Sequence, residues 1–371
     1  MPSLGGTALA VGCLSESMEG ALREHGTLRR VARNITIKYI FIQEWIMIDN
    51  FNELLENAKS VGISGHVRPD GDCVGSCLAM YNYITTYYPG IDTHVYLDPI
   101  PNIFKFLKGA DDIEDIHSVA EGTVFDLYIA LDCSDGGRLG DVYPFFEAAR
   151  HHVCIDHHFS NNGFAEYSYI IPDDSSTCEL IYNQFGKEKI TKEIAECLYT
   201  GIIHDTGIFQ YSCTTEATMA AAGYLMSKGI DYPRICTDTY FAKTMVQNRM
   251  LGMALLGCKT YLDGKVIAAV ITAEDMAQYG AQSKHLEGIV QQLRDTTGVE
   301  VAVFLYELED GDFKGSTRAS GDVDLTAITG VFGGGGHKKA AGFSVSTKEP
   351  WQIIEQIVDM VDKQLKELGS N

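Results

Sequence analysis

Gly65-His66-Val67-Arg68-Pro69-Asp70-Gly71-Asp72-Cys73-Val74-Gly75-Ser76 follows the short apolar run 61–64 and leads into Cys77-Leu78-Ala79-Met80-Tyr81. A histidine and two carboxylates therefore stand where a strand hands over to a helix. In open α/β sheets ligands gather at the carboxyl ends of the strands. Imidazole with carboxylate suits Zn, Mn or Fe, and an oxygen majority leans towards Mn. Pro, Asp and Gly are also the commonest turn residues, so this stretch alone does not separate a site from a turn.

Three further stretches decide between those readings. Asp126-Leu127-Tyr128-Ile129-Ala130-Leu131 reads as a buried strand and ends on Asp132-Cys133-Ser134-Asp135; His152-Val153-Cys154-Ile155 ends on Asp156-His157-His158. In Leu198-Tyr199-Thr200-Gly201-Ile202-Ile203-His204-Asp205 an apolar helical segment delivers Asp205. Four separate segments finishing on potential ligands are hard to explain as solvated loops. Between them strands alternate with helices, which predicts a doubly wound, mainly parallel α/β sheet. Helical spacing covers 48–59, 193–204 and 215–227, and a short strand is expected at 93–97. Ser175 and Ser176 read as helix caps, with Glu179 completing a capping box with Ser176.

Beyond residue 230 the composition shifts. Residues 231–257 read as a methionine-rich helical connector, and 261–272 as a hairpin around Asp263-Gly264. Strands at 299–308 and 313–318, a stretch at 325–332 that leads into a glycine run and a closing helix at 351–368 make a second, smaller α/β unit. Within it stands Gly333-Gly334-Gly335-Gly336-His337-Lys338-Lys339-Ala340-Ala341-Gly342-Phe343. Such a run lets backbone amides approach an anion closely, with a flexible hinge as the alternative. It is not a Walker loop, because Lys338 is followed by Lys339 rather than Ser or Thr.

The ordered set of motifs resembles the DHH phosphoesterase family, named for a triplet that stands here as Asp156-His157-His158, and in particular its DHH-DHHA1 subgroup and the soluble NrnA-type branch. The resemblance runs from about residue 47 to near the end. It implies a DHH catalytic domain over 47–240, a connector over 241–257 and a DHHA1 substrate-binding domain over 258–371. It also implies two divalent cations, with Mn²⁺ the expected metal. His66, Asp70 and Asp132 would hold one; Asp72, Asp132, His157 and Asp205 would hold the other, with Asp132 bridging. Asp156 would fix an imidazole from behind and His158 would face the substrate. Arg318 and His337, with Gly334, Gly335 and Gly336, would form the pocket for the terminal phosphate and base; arginine's planar fork suits phosphate.

The activity implied is hydrolysis of very short oligoribonucleotides to nucleoside 5′-monophosphates and of adenosine 3′,5′-bisphosphate to AMP and phosphate. A cyclic di-AMP or pApA phosphodiesterase shares every ligand, and a nucleotide-binding regulator without turnover is the reading from another class. His204 is read as a neighbour, and His94, His117, His151 and His285 as carrying no chemical role.

Composition limits the partners. A formal charge of −21 over 371 residues argues against tracking long nucleic acid, which is held by basic surfaces that release counterions. A short anionic substrate remains compatible, given metal and local cations. The ten cysteines show no C-x-x-C spacing, and several sit in apolar runs. Buried free thiols in a reducing, cytosolic compartment follow, and Cys73 and Cys77 read as core packing. No run reaches the roughly 18 apolar residues of a membrane span. Residues 1–46 fall outside the resemblance and are expected to be a dispensable extension, with Met47 the natural start. A homodimer is implied by the family alone.

Overall fold

The computed structural model describes residues 51–308 and 310–369. The extension expected over 1–46 lies outside the described residues. The chain divides between Phe241 and Ala242 into two compact units.

The first unit is built on a six-stranded sheet whose strands are β1 (Ser60–Ser64), β2 (Asp92–Tyr96), β3 (Ile113–Glu114), β4 (Leu127–Leu131), β5 (His151–Asp156) and β6 (Tyr167–Ile170). All neighbours are parallel, in the order β3-β2-β1-β4-β5-β6. The chain runs outward from β1 to β3, returns to the middle, and runs outward again from β4. The switch point therefore falls between β1 and β4, the two strands that carry the first two motifs.

Burial on both faces explains the apolar runs. Along β4, Leu127, Ile129 and Leu131 enter one core with α1 (Gly71–Tyr87), while Tyr128 and Ala130 enter the other with α2 (Tyr143–Ala148). Three more helices complete the first face: α3 (Thr177–Gln184), α4 (Lys192–Asp205) and α5 (Glu216–Ser227). Helices α1 and α4 touch at glycines. A Cβ on Gly75 would lie 2.6 Å from the Cys197 carbonyl oxygen, closer than real contacts allow. A short helix, α6 (Tyr232–Cys236), follows.

Ser176 caps α3, its Oγ accepting the Glu179 N–H at 3.0 Å. The capping box expected of Glu179 does not close. Its buried carboxylate instead accepts from the Ser175 N–H at 3.3 Å and hydroxyl at 2.5 Å, and from the Thr218 hydroxyl at 2.8 Å. Helix α5 brings Thr218 there, and a tertiary partner outcompetes the local one.

The second unit begins with α7 (Met245–Gly257). Its Met250 and Ala254 are buried with Ile267, Ala269 and Phe304 of the second sheet. That sheet has the order β11-β12-β10-β9-β8-β7. Its strands are β7 (Lys259–Tyr261), β8 (Val266–Ile271), β9 (Val301–Glu307), β10 (Phe313–Ala319), β11 (Gly335–His337) and β12 (Ala340–Val345). Strands β8 and β9 are parallel; the other pairs are antiparallel. The intervening helices are α8 (Ala273–Gln278), α9 (Ile289–Arg294) and α10 (Leu325–Gly330), and α11 (Pro350–Leu368) closes the chain. Helices α10 and α11 cover one face, packing Leu325, Ile328, Ile354, Ile357 and Val361 on Val303, Leu305 and Phe343.

The glycine run is ordered as strand, not as a loop throughout. Gly335 and Gly336 pair with Gly342 and Ala341. Gly336, with φ +143, takes a conformation that only glycine adopts easily, and a Cβ there would lie 2.5 Å from the Ala340 carbonyl oxygen.

Candidate active site

Every expected ligand lies in the first unit, at the carboxyl ends of β1, β4 and β5 or at the end of α4. The loop after β1 carries His66, whose Nδ1 lies 2.9 Å from the Val67 carbonyl oxygen. That contact places a proton on Nδ1 and turns Nε2 to the carboxylates. Asp70 is the N-cap of α1: its Oδ1 accepts the N–H of Asp72 at 3.1 Å and of Cys73 at 3.2 Å. Its Oδ2 is left 3.6 Å from His66 Nε2.

Asp72, with no exposed surface, accepts from two backbone N–H groups at the start of α3: Thr177 to Oδ2 at 2.7 Å and Cys178 to Oδ1 at 2.9 Å. A helix N-terminus is a natural anion holder, because its first N–H groups have no partner within the helix. Burial nevertheless pushes the Asp72 carboxyl well up, and Asp132 and Asp205 push it further. A cluster of carboxylates this crowded needs a cation or protons to persist.

Asp132 closes β4 with φ +57, a left-handed conformation that is uncommon outside glycine and that Asp tolerates better than most. Its two oxygens face different imidazoles. Oδ2 lies 3.5 Å from His66 Nε2, and Oδ1 lies 3.7 Å from His157 Nε2. The Thr177 hydroxyl donates to Oδ1 at 3.2 Å. Asp205, the last residue of α4, brings Oδ2 to 3.1 Å from His157 Nε2.

His157 tests whether these residues fit a metal. Its Nε2 is buried and has no hydrogen-bond partner, since the 3.1 Å approach of Asp205 is not aligned as a hydrogen bond. A buried nitrogen facing Asp72, Asp132 and Asp205 is placed as a ligand would be. In a cation's absence protons take that role. Burial opposes charge on both imidazoles, but Asp132 and Asp70 draw His66 up to about 11, and Asp205, Asp72 and Asp132 draw His157 up to about 10. Three overlapping groups have ligand atoms near enough to share ions: His66, Cys73 and Asp132; Asp132, His157 and His158; and Asp72, His157 and Asp205. Imidazole and carboxylate in these proportions fit Mn, Fe or Zn.

His158 differs from its neighbour. Its Nδ1 donates to Asp156 Oδ1 at 2.7 Å, so that nitrogen has no lone pair for a metal, and the opposite nitrogen is the free one. Asp156 raises the His158 imidazole above its ordinary value, against burial. Asp156 is itself buried, and its Oδ2 accepts from Asn161 Nδ2 at 2.8 Å.

Sequence reasoning missed Asn161, Thr177 and the Cys178 amide. The Ser175-Ser176 cap pointed to a helix start at Thr177, but nothing local says which carboxylate it holds. Cys73 packs its buried Sγ 3.8 Å from the His66 carbonyl oxygen and belongs to one of the ligand groups. His204 is a packing residue: its Nε2 lies 3.0 Å from Thr239 Oγ1, and its ring meets Phe104 and Tyr240 edge-on. His94, His117 and His151 pair with Glu114, Asp141 and Glu166, and His285 Nδ1 accepts the Gln282 N–H. Beside the site is a cavity of about 460 Å³ lined by Gly65, His66, Tyr96, Asp98, Leu139 and Asp141.

In the second unit, Arg318 and His337 both register with Ala340 of β12, one on each side. Registered residues share a face, so the guanidinium and imidazole belong to one face of the sheet. Arg318 Nη1 donates to the Thr317 carbonyl at 2.9 Å. Lys314 and Ser316 keep exposure on the same face, alternating with buried Phe313, Gly315, Thr317 and Ala319. Gly334, Gly335 and Gly336 lie in or beside β11.

A parallel α/β sheet here gathers imidazoles and carboxylates at its switch point, an arrangement that fits a metal-site hydrolase. Residues 60–202 match the DHH family, N-terminal domain, and residues 263–367 match the DHHA1 domain. The chain belongs to the DHH family of phosphoesterases and carries a DHHA1 domain. It is 27% identical over 310 residues to the bifunctional oligoribonuclease and PAP phosphatase NrnA of Thermus thermophilus, covering 83% of this chain and 90% of that one. The protein of the same name from Bacillus subtilis is 27% identical over 308 residues, covering 81% and 93%. Among solved structures, an exopolyphosphatase-related protein from Bacteroides fragilis superposes with TM-score 0.77 at 27% identity, covering 87% of this chain and 98% of that one. Among the described residues, no helix is long and apolar enough to cross a membrane.

Proposed function

We propose that this chain hydrolyses short oligoribonucleotides to nucleoside 5′-monophosphates and adenosine 3′,5′-bisphosphate to AMP and phosphate, using two divalent cations, with Mn²⁺ the working metal. One observation carries the metal reading: Asp132 turns one oxygen to His66 and the other to His157. His66, Asp70 and Asp132 would hold one cation, and Asp72, Asp132, His157 and Asp205 the other. When bound, such a pair supplies a nucleophilic water at neutral pH and neutralises charge on the phosphoryl oxygens.

The chain's own residues do the rest. The α3 N-terminus fixes Asp72, and Thr177 fixes Asp132, so the carboxylates keep their places whatever occupies the site. Asp156 holds His158 with Nε2 outward, ready to give a proton to the leaving oxygen. Arg318 and His337 grip the terminal phosphate, with the amides around Gly334, Gly335 and Gly336 beside them. These groups supply local cationic and amide donors, which let an acidic protein act on RNA fragments. The described cysteines are all free, which supports a cytosolic setting. The substrate choice is supported by the names of the two relatives; a homodimer rests on the family resemblance.

The test is incubation with Mn²⁺ and, separately, pApA, adenosine 3′,5′-bisphosphate, cyclic di-AMP and a twenty-nucleotide RNA, with products resolved by chromatography. Turnover of the first two and sparing of the last supports the proposal. Cyclic di-AMP cleaved in preference would move the chain to the cyclic-dinucleotide reading. No turnover with any of the four would leave a nucleotide-binding regulator.

A further inference from the structure

Phe159 follows His158 directly and is 90% exposed, the most exposed aromatic side chain among the described residues. Single apolar residues on a surface are ordinary; the way this one is held is not. The Asn161 N–H donates to the His158 carbonyl at 3.1 Å, closing a turn with Phe159 at its tip. Asp156 clamps both ends of that turn, one oxygen on His158 Nδ1 at 2.7 Å and the other on Asn161 Nδ2 at 2.8 Å. Asn161 Nδ2 also donates to the Cys133 carbonyl at 2.9 Å, just after the strand that delivers Asp132. The buried carboxylate that orients the substrate-facing imidazole therefore also fixes the backbone that presents the ring.

A phenyl ring has only two side-chain torsions, so it gives contact area with little ordering entropy. Mounted on a clamped turn beside His158, it is organised before any ligand arrives. A planar apolar face in water next to a phosphate-ester site suits a planar apolar ligand, and every nucleobase has one.

We propose that Phe159 is a stacking platform for the nucleobase beside the phosphate ester being cleaved, so that the first unit itself selects base-bearing over base-free esters. This assignment rests on the nucleotide-phosphoesterase reading and specifies it further. Stacking tolerates base identity, because each base offers a π-face. The platform therefore favours nucleotides as a class without ranking A, C, G and U strongly.

The experiment uses the full chain loaded with Mn²⁺ and compares wild type with Phe159→Ala, Phe159→Leu and Phe159→Trp. The substrates are adenosine 3′,5′-bisphosphate and its base-free counterpart, ribose 3,5-bisphosphate. The ratio of their kcat/KM values is expected to fall about tenfold to a hundredfold in Phe159→Ala, the range that base stacking gives. Leu restores little of that ratio and Trp most of it. In a second readout, binding of a 2-aminopurine dinucleotide quenches its fluorescence in the wild type and less in Phe159→Ala. An unchanged ratio, or equal loss on both substrates, would overturn the platform. A drop in Tm with equal loss would do so too, by giving the ring a packing role. If the wild type turned over neither substrate, the nucleotide reading would fail on its own; quenching would still decide Phe159, supporting the platform if lost in the Ala variant and rejecting it if retained.

Discussion

Asp156 Oδ1 accepts a hydrogen bond from His158 Nδ1 at 2.7 Å. Because the carboxylate is buried and ionised, it favours the imidazolium and holds the His158 imidazole above its ordinary value, against burial. The raised histidine keeps its proton to higher pH and loses it only as pH climbs through the raised value. An Asn at 156 removes the charge and lowers that value. We expect Asp156→Asn to cut kcat by about 10²–10⁴, the range for general acid–base catalysis, and to move the alkaline limb of the pH profile to lower pH. A profile whose limb stays in place would remove Asp156 from this role.

In the proposed two-cation site, Asp132 is the residue both ions would share. Asn is the informative replacement, because it tolerates the φ of +57 found there better than Ala does. Asp132→Asn should lose both Mn²⁺ ions in metal analysis and bring hydrolysis to background. The metal-free variant should keep its Tm within a few degrees of metal-free wild type, since a crowded carboxylate has been removed rather than a packed apolar group. Retention of two ions per chain would disprove the bridging assignment.

In the metal-free protein His66 is drawn up to about 11 and His157 to about 10. Both values are raised, so the ion pairs these histidines make are fully present below the unfolded histidine value of about 6.5. They are lost as pH rises through the folded values. At neutral pH both imidazoles are therefore protonated, and a metal must displace those protons to reach the ring nitrogens. Calorimetric titration of Mn²⁺ at pH 7.5 in two buffers of different ionisation enthalpy should report release of roughly two protons per chain. Apparent affinity should strengthen with pH. Buffer-independent heats would contradict the protonated cluster.

What the sequence made legible follows from which contacts are local. Strands β1, β4 and β5 are buried on both faces, so each reads as a continuous apolar run, and each run leads into candidate ligands. The two residues of β3 are too few to form a pattern, and Tyr167-Ser168-Tyr169-Ile170 of β6 lies at a sheet edge with mixed polarity. Strand β11 was hidden because glycine carries no strand preference, and what requires glycine at 336 is the close approach of the Ala340 carbonyl and Ala341 across the sheet. Asp72 was legible as a candidate ligand but not as a guest of the α3 N-terminus. That contact joins positions 105 residues apart, a register no local pattern encodes. Glu179 shows the converse: the capping-box spacing was present, and a tertiary contact with Thr218 overrode it.

In the second unit, Arg318 and His337 flank Ala340 on one sheet face. A charge-assisted hydrogen bond contributes about 1.5–3 kcal/mol, which corresponds to roughly a tenfold to hundredfold change in binding. Arg318→Ala should raise KM for adenosine 3′,5′-bisphosphate by about that factor and change kcat much less. Lys in place of Arg318 should recover only part, because it lacks the planar fork. His337→Ala should act in the same direction. Unchanged kinetics in both Ala variants would reject a substrate role for this face.

Two helical glycines separate a structural requirement from ordinary helix propensity. At Gly201 on α4, a Cβ would lie 2.2 Å from Cys178 Sγ and 2.6 Å from Asp72 Oδ1. Both neighbours sit where α3 holds the Asp72 carboxylate, so the added methyl pushes on the ligand and on its support together. At Gly223 on α5, a Cβ would meet nothing within 4 Å. Gly201→Ala should therefore cost about 1–3 kcal/mol through overpacking and weaken Mn²⁺ binding. Gly223→Ala should gain about 0.5–1 kcal/mol, the difference between Ala and Gly inside a helix, and leave metal binding alone. Thermal melts with and without Mn²⁺ check both. If Gly201→Ala were as benign as Gly223→Ala, the close approach of α4 to Asp72 would not be what positions that carboxylate.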